Sequence, residues 1–252
     1  MKKIIFLTLI FCGLLASTAG AEISKEESIS RFVQGNLSYK EGNYERAIEQ
    51  YEAVLQGGKT SGFLYFNLAN AYYRQGHLGK AILNYERAKR LIPRDSDLNF
   101  NYQYVRSKAN LFEGQIGTSF WQQAIEQHVD FYSLEEMVYA LTAALLAMGI
   151  IHLLSLYQRW PKRVKNFMVG SLSLVVLIFF AGLVIQLNRE GSSAVVLSKS
   201  DAKFEPRQDS TTHYKLPEGV KVKVLKKDGA WVKVQRSDGK LGWMPQENIE
   251  EI

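Results

Sequence analysis

Nine residues of this chain recur at one period. Phe32, Phe66 and Phe100 stand 34 apart; four positions on come Asn36, Asn70 and Tyr104, and four further come Lys40, Arg74 and Lys108. Steps of four keep each triplet on one side of a helix. That side would carry an aromatic, a polar and a basic ladder. A carboxamide donates and accepts, so it can satisfy the unpaired backbone of an extended peptide, while cations speed capture of a peptide bearing carboxylates. The same recurrence follows if the rings are core and the cations a solvated face. The residues alone leave both readings open.

Other chemistries lack their residues. His77, His128, His152 and His213 are isolated and show no metal-ligand spacing. There is no Gly-x-Ser-x-Gly and no glycine loop for phosphate, so the sequence predicts no enzyme and no cofactor. The formal charge of +6 is modest for 252 residues and gives no reason to expect nucleic acid as a partner. Lys2-Lys3, the apolar run Ile4 to Leu15 and Ala19-Gly20-Ala21 have the three parts of a secretory signal, with cleavage expected after Ala21. Cleavage would remove Cys12, the only cysteine, and with it any thiol chemistry or disulfide. Phe11 before it is too bulky for a lipoprotein signal.

The ladders need a scaffold that repeats. "GNYERAIEQYEAV" (Gly42 to Val54) aligns with "GHLGKAILNYERA" (Gly76 to Ala88) at the offset of 34, with Gly42/Gly76, Ala47/Ala81 and Tyr51/Tyr85 coinciding. Tyr65, Leu68, Ala69, Tyr72, Gly76, Leu78, Ala81, Tyr85, Ala88 and Pro93 complete a second copy that resembles the tetratricopeptide repeat, a helix-turn-helix. In the first copy Arg31 and Ser38 replace the usual large apolar residues. Ser24 to Glu27 reads as a capping box opening its first helix. Residues 24–112 are thus expected to hold two repeats and a capping helix. The resemblance implies a concave groove lined by the first helices, in which Asn36 and Asn70 hold ligand backbone, Lys40, Arg74 and Lys108 draw acidic groups, and Phe32, Phe66 and Phe100 add apolar contact beside Tyr104.

Met137 to Tyr157 and Phe167 to Leu187 are 21-residue runs without a formal charge, each long enough to cross a membrane. Between them, 158–166 holds Arg159, Lys162, Arg163 and Lys165, whereas Gln122 to Glu136 has Glu126, Asp130, Glu135 and Glu136 and no cation. By the positive-inside rule the basic loop is cytoplasmic and both ends of the chain lie outside. Residues 115–133 are expected to form an amphipathic linker helix, lying either on the outer membrane interface or under the repeats. Beyond the spans, residues 193–252 alternate apolar and polar, with turn signals at Lys227-Asp228-Gly229 and Ser237-Asp238-Gly239. The strand order and the Gly-Trp-Met-Pro segment resemble a bacterial SH3-like barrel. Its groove would be built from Tyr214, Trp231, Trp243 and Pro245, unless Trp243 is mainly core; 198–215 reads as a long loop.

The fold class is therefore multidomain: an all-α repeat solenoid, two transmembrane helices and an all-β SH3-like barrel. In that order the modules resemble the E component of the Bacteroides aerotolerance (Bat) operons. The resemblance implies an envelope protein working beside membrane-anchored von Willebrand A-domain proteins and a cytoplasmic MoxR-type ATPase. Two functions follow: a non-enzymatic scaffold collecting partner proteins outside the cytoplasmic membrane, or a wall-binding accessory whose SH3-like domain holds peptidoglycan peptides.

Overall fold

A computed structural model of the protein describes residues 23–108, 120–157, 160–190 and 192–252. The expected signal segment, 109–119 and the loop residues Gln158 and Arg159 lie outside these. The chain divides into two compact units between Thr60 and Ser61.

The first unit is a helical hairpin of α1 (Lys25–Lys40) and α2 (Tyr44–Gln56). Ser24 starts α1 by accepting from the Glu27 amide at 3.1 Å, and Asn43 starts α2 by accepting from that of Arg46. Gly42, at φ 80°, makes the turn between them. The helices meet at Gly35, where a Cβ would lie 2.5 Å from the Tyr51 ring. Ala47 and Tyr51 are buried there.

The second unit opens with α3 (Gly62–Gln75), α4 (Leu78–Leu91) and α5 (Ser96–Lys108). Ser61 caps α3, and Gly76, at φ 85°, ends it in the left-handed conformation that glycine tolerates. Small residues bring α3 and α4 together: Ala69, Ala71, Ala81 and Ala88 have no exposed surface. Leu98, Tyr102 and Val105 of α5 are buried against this core.

Next come α6 (Phe120–Phe131), α7 (Leu134–Tyr157) and α8 (Lys162–Glu190). The last two are long and apolar enough to cross a membrane, and they pack against each other. Both helices run past the charge-free segments, so Lys162, Arg163 and Lys165 occupy the first turn of α8 rather than a loop. Leu145, Leu146, Leu153, Leu174, Leu177 and Phe180 face outward, as lipid-facing side chains would.

The remainder is one antiparallel sheet: β1 (Ser193–Val196), β2 (Ser200–Lys203), β3 (Thr212–Leu216), β4 (Lys221–Asp228), β5 (Trp231–Gln235), β6 (Leu241–Pro245) and β7 (Ile249–Glu251), in the order β3-β2-β6-β5-β4-β1-β7. Both expected turns are present, with Gly229 at φ 58° and Gly239 at φ 84°. The long loop expected over 198–215 is instead the β2–β3 hairpin, its turn confined to 204–211. Ala202, Tyr214, Leu216, Val222, Val232, Val234 and Met244 form the core.

Candidate functional site

The ladder residues divide between the two units. In the first, Phe32 packs on Tyr51 with ring centroids 5.9 Å apart, and Asn36 Oδ1 accepts from the Tyr51 hydroxyl at 2.7 Å. Burial drives the Tyr51 phenol well above its ordinary value, with a smaller push from Tyr39. Lys40 is exposed in the last turn of α1.

The second unit repeats this geometry. Phe66 meets Tyr85 at 6.2 Å, and Asn70 Oδ1 accepts from the Tyr85 hydroxyl at 2.6 Å. Asn70 also accepts from Asn101 Nδ2 at 3.1 Å, which ties α3 to α5. In both units, therefore, the carboxamide oxygen joins two helices through a tyrosine fifteen residues on. Phe100 is 72% exposed and Tyr104 46%. Tyr73 meets the Tyr104 ring edge-on at 6.2 Å, Lys108 lies over that ring at 5.6 Å, and Arg74 is exposed. Asn101 and Tyr73 were not foreseen. The signal for the tyrosine–asparagine bond was present, since Tyr51 and Tyr85 recur at the same period as the asparagines.

In the sheet, the pairings Trp231↔Pro245 and Lys233↔Trp243 set these four residues on one face. Val232, Val234 and Met244 fill the other face, completely buried. Trp243 is half-buried on the outer face, not in the core. Tyr214 is separated from this group: it belongs to the core and donates to the Lys240 carbonyl at 3.2 Å. The aromatic set expected from sequence is thus brought together in three of its four members. Two unforeseen side chains extend it. Phe204 stacks on His213 at 4.4 Å, and an open hollow of about 360 Å³ lies between them, Lys233, Leu241, Gly242 and Trp243. Lys203 lies over the Trp231 ring, and Lys226 and Lys233 over Trp243, all within 6.0 Å. The face is aromatic and positive together.

Repeat and sheet are joined within the second unit along α4. Gly79 N donates to Glu218 at 2.7 Å, Arg87 pairs with Glu250 at 2.8 Å, and Arg90 donates to the Ile252 carbonyl at 2.7 Å. A Cβ on Gly79 would lie 2.7 Å from the Leu197 backbone. Glu86, buried in this junction, accepts from the Tyr102 hydroxyl and pairs with Lys221 at 3.0 Å. Burial raises its carboxyl, but the Lys221 charge and the Tyr102 hydroxyl outweigh that and hold it below its ordinary 4.5. After α4, Arg94 reaches Glu136 at the head of α7 and lies over the Phe131 ring at 5.1 Å. His128 and Tyr132 pack on Phe179 of α8.

Among the described residues no three His, Cys, Asp or Glu gather as metal ligands would. Residues 62–95 match the tetratricopeptide repeat family, and residues 204–250 match the bacterial SH3 domain family. A solved structure, the C-terminal SH3 domain of myosin IB from Entamoeba histolytica, is similar at 23% identity and a TM-score of 0.19, over 24% of this chain and 92% of that one. No match to a curated protein accompanies these. The chain thus carries, in order, a tetratricopeptide repeat, two helices of membrane-crossing length and a bacterial SH3 domain.

Proposed function

We propose that this protein is a non-enzymatic envelope scaffold, held in the cytoplasmic membrane by α7 and α8 with the repeats and the SH3-like domain on the outer side. It binds peptide segments of partner proteins through the face shared by α3 and α5, and acts in a Bat-type complex with von Willebrand A-domain membrane proteins. The observation that carries this is Asn70. Its oxygen is engaged by Tyr85 and Asn101, so the amide is fixed, with its Nδ2 donors left as the group for a ligand carbonyl, among the exposed Phe100, Tyr104, Arg74 and Lys108. The face is short, which fits an affinity on the order of micromolar, about −8 kcal/mol. In-cell crosslinking of the full chain, with identification of captured proteins, tests it. Phe100→Ala and Arg74→Glu/Lys108→Glu change only exposed side chains and should each reduce capture. Unchanged recovery of every partner by both variants would remove the face from consideration.

The positive aromatic face of the sheet supports a second reading, a wall-binding accessory. Purified sacculi should then retain the full chain in detergent at physiological salt, and Trp231→Ala/Trp243→Ala should release it.

A further inference from the structure

α1 is turned the wrong way for an ordinary amphipathic helix. It buries Ser28, Gly35 and Ser38, while Ile29, Val33 and Leu37 are 55%, 49% and 52% exposed. Glu26 and Lys40 are exposed as well. Relative to Val33, these five residues stand at −7, −4, 0, +4 and +7. At about 100° per residue they fall within a stripe about 80° wide. The pattern reads the same in both directions except at its ends, where it is acidic on one side and basic on the other.

That is the signature of a surface complementary to itself under a two-fold axis. We propose that α1 pairs antiparallel with α1 of a second copy of this chain, the axis passing beside Val33. Ile29 then meets the other copy's Leu37, and Glu26 meets its Lys40, twice over. Steps of three and four keep all five side chains on one face of the helix, the face that a second helix would cover. A parallel pair would set Glu26 against Glu26 and Lys40 against Lys40. An anionic membrane surface would attract Lys40 and repel Glu26, so it gives no reason for opposite charges at the two ends of the stripe. An unrelated partner gives no reason for symmetry about one residue.

The test uses the full chain in its membrane with Cys12→Ser as background. Val33→Cys sits on the axis and should form a disulfide-linked dimer on mild oxidation, in yield several-fold above Ile29→Cys or the flanking Gln34→Cys. Glu26→Lys or Lys40→Glu, added singly to Val33→Cys, should lower that yield, and the two together should restore it. Equal crosslinking at positions 29, 33 and 34 would indicate random collision and overturn the pairing. So would a fluorophore on Val33→Cys that is quenched by lipid-borne quenchers while no dimer forms, which would assign the stripe to the membrane surface.

Discussion

Asn36 and Asn70 each tie two helices together through a single side-chain oxygen. Each oxygen is held by a tyrosine hydroxyl of the partner helix, so these amides are first of all structural. Tyr85→Phe should cost about 1 kcal/mol in denaturant unfolding, the usual net value of one such bond. Asn70→Ala should cost more, because it also strips Asn101 of its acceptor. Raised phenol values have a pH consequence. A group that keeps its proton more tightly when folded contributes fully below its ordinary value, 10.0 for Tyr51, and that contribution is lost as the pH climbs past it. Alkaline unfolding should therefore be shallower in Tyr51→Phe. Glu86 acts with the opposite sign. Held below 4.5, its contribution is present at neutral pH and disappears as the pH falls through the depressed value. Glu86→Ala should flatten the acid limb and cost about 1–3 kcal/mol, since it leaves the buried Tyr102 hydroxyl without its acceptor. The period of 34 made both amides legible in the sequence, but not the direction of their bonds, because a tyrosine at that period reads equally as a packed ring.

At the level of elements, legibility followed the strength of the periodic signal. α3, α4, α7 and α8 were readable because alanines, tyrosines and unbroken apolar runs leave one way to be buried. β2 and β3 were not. Their four and five residues are mostly polar, and only Ser200, Ala202, Tyr214 and Leu216 turn inward, too few to show an alternation. Tyr214 was misplaced for that reason, since nothing local says which side of so short a strand is core. The junction along α4 was also invisible, because it depends on elements more than a hundred residues apart. It makes a definite prediction. Gly79→Ala places a methyl group against backbone that has no rotamer to yield, so the SH3-like domain should loosen from α4. Faster hydrogen exchange in β1 and α4 would register this. Gly170→Ala, where nothing lies within 4 Å, should leave it unchanged.

For the whole molecule, the proposed orientation rests on the contrast between the acidic approach to α7 and the basic start of α8. A reporter active only in the cytoplasm and fused after Ile252 should be silent, and an active one would invert the topology. Replacing Arg159, Lys162, Arg163 and Lys165 with Gln should mix the two orientations of the SH3-like domain. The element that the repeat and the sheet of the second unit share is α4. Gly79, Ala81, Ile82, Leu83, Asn84, Tyr85, Glu86 and Ala88 are all buried, so six consecutive residues leave no solvent side for more than a full turn. An ordinary surface helix drifts freely on its wet face as lineages diverge. This one has almost no wet face, and a single inserted residue would rotate everything beyond it by about 100°. A saturation library of this protein should therefore show Ala81 to Glu86 as a continuous intolerant band rather than a striped one, with selection acting on six neighbouring codons as a block and Lys80 and Leu91 tolerant on either side.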